Sequence, residues 1–390
     1  MKIAILYISK NGEKISKTLK NVFDSDSKII RTDLFQGNII DTVKNIFNSY
    51  DLIIGIMATG ILVRSIAPYI KDKTTDPGVI AIDDNGNNVI SILSGHIGRA
   101  NEYTAIISKI INANSVISTA TDNFNKLGID VLANKFYFDI DDKKQILKFN
   151  KGILNNKTIT LHGNYDISYI DDFLKNNSDY DNNNFIISPD ICSIGNILKD
   201  DGYIGNILED DGYIDNIIDT NDCIANMDNI NENNNFKIHK QIIAILKEKS
   251  KKFYIIFNPK TIVFGIGTRK GIKREDVLNA INNVCDDLEI PIDRIDRIAT
   301  ASIKKDEKGI IESANDLKLP LDIVDIETIR NFKCDDCSKS EFVKRKFNID
   351  GVCEPVALII GKKYSNNNDS KLIYKKTAFN GVTIAVAISN

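Results

Sequence analysis

The clearest candidate for chemistry in this sequence is His96, which lies in the segment SGHIGRANE at 94–102. An imidazole titrates near neutral pH, so it can act as a general base or donate a hydrogen bond to an anion. Glu102 ends the same segment and is the second candidate base. The segment follows the apolar strand VISIL and opens a predicted helix, where backbone N–H groups beside small residues bind carboxylate or phosphate oxygens.

A purely structural interpretation of this segment stays open beside the catalytic one. Ser94 or Asn101 would then cap the helix by accepting hydrogen bonds from its first N–H groups, and His96 would be partly exposed. If the segment binds a ligand instead, Ser94, Gly95 and Asn101 are the residues expected to contact it.

Two more polar turns follow predicted strands, MATGILVRSIAP at 57–68 and STATDNF at 118–124. Ligands of open α/β sheets bind at the carboxyl ends of strands, so we expect the three turns to face one cleft. Ser, Thr and Asp are also ordinary helix N-caps, which leaves a structural role open for each turn. The candidate binding or acid–base residues here are Thr59, Gly60, Arg64, Lys73, Thr119, Thr121 and Asp122.

The last third of the chain contains a glycine-rich turn, GIGTRKG at 265–271, which resembles a cradle for phosphate or carboxylate. It lacks the Gly-Lys-Ser/Thr ending of a Walker loop, and the third glycine and downstream acid of a dinucleotide site are not in register. A carboxylate precedes Pro355 near a predicted helix start, where the helix dipole favours a negative charge. The candidates in this part are Gly265, Gly267, Arg269, Lys270 and Glu354.

The elements that must position these residues alternate between aliphatic strands and helical patterns, which predicts an α/β fold. In the first part we predict strands at 3–8, 52–57, 79–83, 89–93 and 115–118, and helices at 61–70 and 100–111. The Asn-Gly pair in DDNGNN predicts a hairpin between the third and fourth of these strands. From Thr261 we predict a strand, then a helix at 273–288, a strand at 294–303, a helix at 306–317, a strand at 321–325, helices from 338 and at 352–360, and the closing strands KLIYKK and VTIAVAI.

The predicted organisation is two α/β domains, at 1–135 and 261–390, joined by a poorly defined middle region at 136–260. This middle region contains an acidic, Asn-rich insertion, in which residues 176–235 hold thirteen Asp or Glu and a single Lys. The decapeptides GNILKDDGYI, GNILEDDGYI and DNIIDTNDCI repeat across 195–224. Low complexity and high charge disfavour a packed core there, and each repeat has too few acids for a calcium loop.

Composition excludes several classes of protein. Outside the acidic insertion the chain carries a net charge of +9, which favours anionic small-molecule ligands, although an AT-rich coding sequence would also inflate Lys. No motif indicates binding to nucleic acid, and no apolar run approaches the roughly eighteen residues of a membrane span. We therefore expect neither a nucleic-acid partner nor a membrane. The six cysteines form no regular framework, which predicts a cytoplasmic protein. One C-x-x-C pair, Cys334 and Cys337, is too little for zinc, and we predict no metal site.

Taken together and in order, several segments resemble the cobalt-precorrin-5A hydrolase family of anaerobic cobalamin biosynthesis (CbiG). The resemblance covers about 51–135 and 261–390 and rests on DLIIGIMATGILVRSIAPYIKDKTTDPGVIAID, VISILSGHIGRANE, STATD, GIGTRKG, TASIKKDEKGI and GVCEPVALI. Three positions depart from the family pattern: Arg99 stands where a second glycine is usual, Thr268 where cysteine is common, and Val356 where alanine is usual.

The resemblance implies a hydrolase that opens the δ-lactone of cobalt-precorrin-5A and releases acetaldehyde to give cobalt-precorrin-5B. His96 or Glu102 is then the candidate base, Asp122 a second acid or base, and the N–H groups around Gly60 or Gly95 the candidate oxyanion donors. Arg64, Lys73, Arg269 and Lys270 are suitable anchors for the carboxylates of the macrocycle. Cobalt arrives with the substrate, so the resemblance implies no separate cofactor, and other enzymes of the pathway are its expected partners.

Two further functions stay open from the sequence. A tetrapyrrole carrier or scaffold of the same pathway would bind the macrocycle without releasing acetaldehyde. A nucleotide-dependent α/β enzyme would depend on the glycine-rich turns alone, and the missing Walker and dinucleotide signatures count against it.

Overall fold

The computed structural model describes residues 1–119, 124–177, 180–181, 184–188, 241–248 and 251–390. They divide into two units, one made of Met1–Ser118 with Lys260–Asn390 and the other of Thr119–Pro259. The decapeptide repeats at 195–224 lie outside the described residues. Within the described ranges, no helix is both long enough and apolar enough to cross a membrane.

Residues 1–118 form a six-stranded sheet in the order β2-β1-β3-β4-β5-β6. Its strands are β1 (Lys2–Tyr7), β2 (Arg31–Gln36), β3 (Leu52–Ile56), β4 (Gly78–Ile82), β5 (Asn88–Leu93) and β6 (Asn114–Val116). Its helices are α1 (Lys10–Ser25), α2 (Ile39–Ile46), α3 (Thr59–Ile66) and α4 (Ala100–Ile111). Alternate strand residues face opposite sides, so α1 and α4 cover one face and α2 and α3 the other. The α/β fold predicted for this part is confirmed.

Strand direction changes once within this sheet. β1 to β4 run parallel, and β5 runs antiparallel to β4, with Val79 opposite Leu93, which confirms the predicted hairpin. β6 runs parallel to β5. The carboxyl ends of β5 and β6 therefore lie at the edge where β4 begins, opposite the edge where β3 ends. We call the edge that holds the start of β4 and the end of β5 the lower edge, and the other the upper edge.

The second unit contains a five-stranded sheet in the order β7-β11-β10-β8-β9, which sequence patterns did not place. Its strands are β7 (Phe138–Ile140), β8 (Ile159–Gly163), β9 (Phe185–Ile187), β10 (Ile242–Glu248) and β11 (Lys251–Pro259), with helices α5 (Ile129–Lys135), α6 (Ile146–Leu154) and α7 (Ser168–Asn176). β9 lies within the acidic stretch 176–235 and pairs with β8, and β10 pairs with β8 from the C-terminal side of that stretch. The middle region thus has a sheet of its own.

Residues 260–390 form a third sheet in the order β14-β13-β12-β16-β15. Its strands are β12 (Thr261–Thr268), β13 (Arg297–Ala301), β14 (Leu321–Val324), β15 (Lys371–Phe379) and β16 (Val382–Ser389), with helices α8 (Arg274–Leu288), α9 (Lys308–Asp316), α10 (Ile326–Asn331), α11 (Glu341–Phe347) and α12 (Cys353–Lys363). α12 packs so closely on β12 that a Cβ atom on Gly265 would lie 1.9 Å from the Cys353 carbonyl oxygen. The predicted α/β order of this part is confirmed.

β15, the edge strand of this third sheet, docks on residues 1–118. The Lys375 N–H donates to the Ser27 carbonyl at 2.8 Å, and the Thr377 hydroxyl donates to the Ser27 hydroxyl at 2.8 Å. Nearer the start of β15, Lys371 Nζ lies 3.6 Å from a carboxylate oxygen of Asp51. Because Asp51 directly precedes β3, this end of β15 lies against the lower edge of the first sheet.

Asp51→Asn is expected to weaken the folded protein by about 1–2 kcal/mol at neutral pH. Burial alone would raise the pKa of Asp51, but Lys371 and the Lys2 N–H, which donates to the carboxylate at 2.7 Å, outweigh it and hold the pKa below its ordinary value of 3.8. A lowered folded pKa stabilises above the unfolded pKa, and this stabilisation disappears as pH falls through the folded pKa.

Urea unfolding at about pH 7 and about pH 3 measures this effect. The difference between wild type and Asp51→Asn should shrink at the lower pH, whereas exposed Asp306→Asn should behave as wild type at both. An unchanged difference across the two pH values would contradict the assigned ionisation of Asp51.

Candidate functional site

The turn from Ser94 to Arg99, which joins β5 to α4, is wound tightly on itself. Ser94 and Arg99 both have left-handed backbone angles, with φ of 52° and 60°. The Arg99 N–H donates to the His96 carbonyl at 2.9 Å, and the Asn101 N–H donates to the Gly95 carbonyl at 3.0 Å. A non-glycine residue in this region carries strain that the surrounding structure must hold, and such strain clusters at functional sites. The turn therefore holds half-buried His96 in a fixed position.

Two glycines make this winding possible. A Cβ atom on Gly98 would lie 2.6 Å from Ser94 Cβ, and one on Gly78 would lie 2.3 Å from the Gly98 carbonyl oxygen. Gly78 is the first residue of β4, so this contact fixes the turn against the lower edge of the sheet. The spacing of small residues in SGHIG thus reflects backbone packing.

A buried hydroxyl is a second unusual feature of the same turn. The Ser94 Oγ is buried and has no hydrogen-bond partner among the residues that the structure describes. Buried polar atoms in folded proteins nearly always have a partner. Beside it, the Ser91 hydroxyl donates to Asn101 Oδ1 at 2.6 Å, and Asn101 is 5% exposed. Asn101 thus connects the turn to Ser91 of β5.

Ser91 was not among the predicted site residues, and the sequence held one signal for it. It is a polar residue inside the otherwise apolar strand VISIL. Its hydroxyl binds Asn101, whose amide lies against Gly95, where an added Cβ would come within 2.6 Å of Asn101 Oδ1. Ser91 therefore positions the turn through Asn101.

Glu102 has a different environment from His96. Its two carboxylate oxygens accept from Arg99 Nε at 2.7 Å and Nη2 at 2.5 Å, and the Arg99 guanidinium also lies 5.4 Å from the centre of the Tyr103 ring. Arg99, which stands where glycine is usual in the family that the sequence resembles, is thus paired with Glu102 on the exposed side of α4. Both oxygens of the Glu102 carboxylate already accept from Arg99, so Glu102 could take a proton from water only after this pair opens, and we keep His96 as the first candidate base.

The other predicted turns do not all meet at His96. Thr59 and Gly60 open α3 at the upper edge, because β3 runs parallel to β4, and Arg64 reaches back toward Gly60, whose added Cβ would lie 3.6 Å from Arg64 Nη1. The expectation that all three turns face one cleft is wrong for this turn, since the reversed direction of β5 places Ser94 at the lower edge. Lys73 is exposed in the segment that leads into β4 and so belongs to the lower edge.

The third polar turn begins after β6, whose carboxyl end lies at the lower edge. Ser118 ends the first unit of the structure, and Thr119, which begins the second unit, is half-buried. Thr121 and Asp122 lie outside the described residues. The binding role predicted for Thr121 and the acid–base role predicted for Asp122 therefore stay predictions.

The glycine-rich turn at 265–271 is occupied by groups of the protein itself. The Gly271 and Ile272 N–H groups donate to Glu307 Oε1 at 2.8 and 3.2 Å, so a side-chain carboxylate takes the place predicted for an anionic ligand. Gly265 packs on α12, and Gly267 faces Thr383, whose Oγ1 lies 2.8 Å from the position of an added Cβ. Arg269 and Lys270 are exposed at the end of β12. The two glycines serve packing, and the two cations stay candidate anchors.

Glu354 is 1% exposed, and its carboxylate is satisfied inside the protein. Oε2 accepts from the Ser338 N–H at 2.8 Å and from its hydroxyl at 2.6 Å, and Oε1 accepts from the Lys376 N–H at 3.0 Å. The side chain therefore ties the loop before α11 to β15 from the first turn of α12. Its geometry is that of a structural residue.

Glu354→Gln is expected to lower the free energy of unfolding by about 2–3 kcal/mol, because the amide NH₂ would face a donor at a buried position. Urea unfolding measures this, with exposed Glu341→Gln as the control for loss of charge. Lost turnover with unchanged stability would instead place Glu354 among the substrate-binding residues.

A further cation approaches the lower edge from the last third of the chain. Gly98 packs on Gly78, the Gly78 N–H donates to the Asp51 carbonyl at 3.0 Å, and the Asp51 carboxylate lies 3.6 Å from Lys371 Nζ. Lys371 is 61% exposed and was not among the predicted anchors. Only the docking of β15 brings it near the His96 turn, so no local sequence pattern indicated it.

The four cysteines that the structure describes divide into two groups. Cys334 and Cys337, which the sequence analysis weighed only as zinc ligands, form a disulfide. Burial raises the pKa of the free Cys285 and Cys353 thiols to about 12. These two thiols are therefore inert near neutral pH, and neither is a nucleophile.

Comparison with known proteins finds families and relatives of cobalamin synthesis. The family described as Cobalamin synthesis G N-terminal matches residues 41–122, and that described as Cobalamin synthesis G C-terminus matches residues 262–387. A Methanocaldococcus jannaschii protein named as a probable cobalt-precorrin-5A hydrolase is 32% identical over 398 residues, covering all of both chains. The cobalt-precorrin-5A hydrolase of Priestia megaterium is 25% identical over 403 residues, covering 99% of this chain and 94% of its own.

A solved structure agrees with these relatives. The crystal structure of a cobalamin biosynthesis protein G homolog from Sulfolobus solfataricus has a TM-score of 0.55 and 25% sequence identity. The match covers 100% of this chain and 97% of the other.

Proposed function

The chain belongs to the cobalamin synthesis G family, and from that membership we propose that it is a cobalt-precorrin-5A hydrolase. The observation that carries the proposal is the 32% identity with a relative of that name along the whole of both chains. The reaction opens the δ-lactone of cobalt-precorrin-5A and releases acetaldehyde, giving cobalt-precorrin-5B in anaerobic cobalamin biosynthesis.

His96 is the base that we propose for lactone opening. A water molecule attacks the lactone carbonyl while the imidazole takes its proton, and the oxyanion that develops needs N–H donors. Gly95 lies in the same turn and supplies the candidate donor, whereas Gly60 is at the upper edge of the sheet and is too distant for this role.

Fragment release follows from the hydroxyl that lactone opening creates. Removing its proton breaks the bond between the hydroxyl-bearing carbon and the macrocycle, and the carbon leaves as acetaldehyde. The electron pair of the broken bond passes to the conjugated macrocycle and is quenched by a proton. Asp122 keeps its proposed role as the second acid or base. Neither step changes the redox state of an external partner, so we propose no resident cofactor, with cobalt entering as part of the substrate.

Cations around the lower edge suit the acetate and propionate groups of the substrate. Lys73 and Lys371 are both exposed at the lower edge, and compact ammonium groups on flexible side chains bind carboxylates as point charges. We propose that the macrocycle lies across this edge with its carboxylates on these lysines. Other enzymes of the pathway in the cytoplasm are the proposed partners that deliver substrate and accept product.

The test is anaerobic incubation of the purified chain with cobalt-precorrin-5A, with acetaldehyde trapped by alcohol dehydrogenase and NADH. Stoichiometric acetaldehyde that depends on the chain would establish the hydrolase. A changed macrocycle spectrum without acetaldehyde would favour a tetrapyrrole carrier instead.

A further inference from the structure

The disulfide between Cys334 and Cys337 closes a small ring in the segment between α10 and α11, where the third sheet meets residues 1–118. Both cysteines pack on an apolar cluster that α12, β15 and β16 supply, and Ile30 of the first sheet's domain packs on the same cluster. Both cysteines are half-buried and line a cavity, so a small reductant can reach them. The proposed hydrolysis uses neither of them.

Asp336, inside this ring, forms ion pairs across the same boundary. Its carboxylate oxygens lie 3.0 Å from Lys2 Nζ and 3.7 Å from Arg31 Nη1. Lys2 belongs to β1 and Arg31 to β2, so one side chain of the ring contacts two strands of the first sheet. Asp335 lies in the same ring, is exposed, and forms no ion pair with the described residues. The two carboxylates of the ring therefore differ in their contact with residues 1–118.

The disulfide is the restraint that fixes this ring. Among the described residues, no backbone–backbone hydrogen bond begins or ends at residues 333–339. Directly after the ring, the Ser338 N–H and hydroxyl donate to Glu354, which also accepts from the Lys376 N–H of β15. Residues 335 and 336 thus depend on the cross-link for a defined position at the boundary.

We propose that this disulfide is a redox switch that strengthens the docking of the third sheet on residues 1–118 when it is closed. A dithiol reductant opens it: one thiolate attacks a sulfur of the ring and forms a mixed disulfide, which releases the other cysteine as a thiolate. The second thiolate of the reductant then closes its own disulfide and releases the second cysteine. The protein gains two electrons and, after protonation, two protons.

Opening the ring weakens docking through conformational entropy. A free segment loses more freedom than a closed ring when Asp336 contacts Lys2 and Arg31. These ion pairs are partly exposed and so contribute little, which sets the expected effect at about two- to fivefold. Linkage is reciprocal, so docking favours the closed disulfide by the same factor. The proposal does not depend on the hydrolase activity.

Buffers with graded ratios of reduced to oxidised dithiothreitol measure the disulfide equilibrium on the purified full-length chain, with both cysteines quantified by alkylation and mass spectrometry. Asp336→Asn should shift this equilibrium toward the thiols by about two- to fivefold, because the ion pairs that favour the closed ring are lost. Asp335→Asn is the matched control, since it removes the same charge from the same ring. Its equilibrium should equal that of the wild type.

Hydrogen exchange followed residue by residue reports the docking itself. The Lys375 N–H, which donates to the Ser27 carbonyl, should exchange about two- to fivefold faster after reduction, whereas the Val386 N–H inside the third sheet should not change. The double variant Cys334→Ser with Cys337→Ser should exchange like the reduced protein in either buffer.

Three results would overturn the proposal. The first is an equal shift of the disulfide equilibrium in Asp336→Asn and Asp335→Asn. The second is exchange of the Lys375 N–H that does not change on reduction. The third is a pair of cysteines that stay thiols in oxidised dithiothreitol alone.

Discussion

Replacing His96 by alanine is expected to lower the turnover of cobalt-precorrin-5A by about 10²–10⁴-fold and to leave binding nearly unchanged. The imidazole is half-buried in a turn whose backbone is fixed by Gly78 and Gly98, so its loss removes a base without unfolding the turn. Single-turnover release of acetaldehyde measures the rate, and the spectral titration of the macrocycle measures binding.

Glu102→Gln is the matched control for this prediction. Its carboxylate is held by Arg99 on the exposed side of α4, so we expect less than about a tenfold loss of turnover. Full activity in the His96→Ala variant, or a larger loss in Glu102→Gln than in His96→Ala, would transfer the role of base from His96 to another residue.

Gly265→Ala is expected to lower the free energy of unfolding by about 3 kcal/mol or more, because overpacking against a backbone oxygen cannot be relieved by a rotamer change. The added methyl would lie 1.9 Å from the Cys353 carbonyl and 2.9 Å from Ala357 Cβ, so α12 must move away from β12. Thermal unfolding followed by circular dichroism measures the effect as a lower midpoint.

Gly60→Ala provides the comparison, because in the described part of the chain a methyl there would have one neighbour within 4 Å, Arg64 Nη1 at 3.6 Å. Its unfolding midpoint should stay close to that of the wild type. If Gly265→Ala unfolded at the same temperature as Gly60→Ala, the packing of α12 on β12 would be looser than the structure has it.

Local patterns predicted most of the elements at both ends of the chain. The predicted helix at 100–111 agrees with α4, and the Asn-Gly hairpin was placed correctly. The same hairpin reverses β5 and so places the His96 turn at the lower edge. The prediction of one common cleft did not include this reversal. Strand direction decides which turns meet, and it depends on the whole sheet.

Long-range pairing explains what the sequence could not predict. β10 pairs with β8 across the acidic insertion, and no periodicity within either strand names its partner. Glu354 was assigned to a helix dipole, but its actual partners, Ser338 and Lys376, come from two other segments. Glu307 fills the glycine-rich turn from a distant position in the same way. Residue type predicted the chemistry of these groups, and only tertiary structure supplies their partners.

The contact between β15 and Ser27 determines when the protein can complete its fold during synthesis. The Thr377 and Ser27 hydroxyls that meet there are 350 residues apart in the sequence, so docking waits until almost the whole chain has left the ribosome. Closure entropy rises only with the logarithm of loop length, so the sixty residues at 176–235 add about 0.2 kcal/mol to its cost in an unfolded chain. Decapeptides can therefore be gained or lost there with almost no effect on the stability of the docked domains.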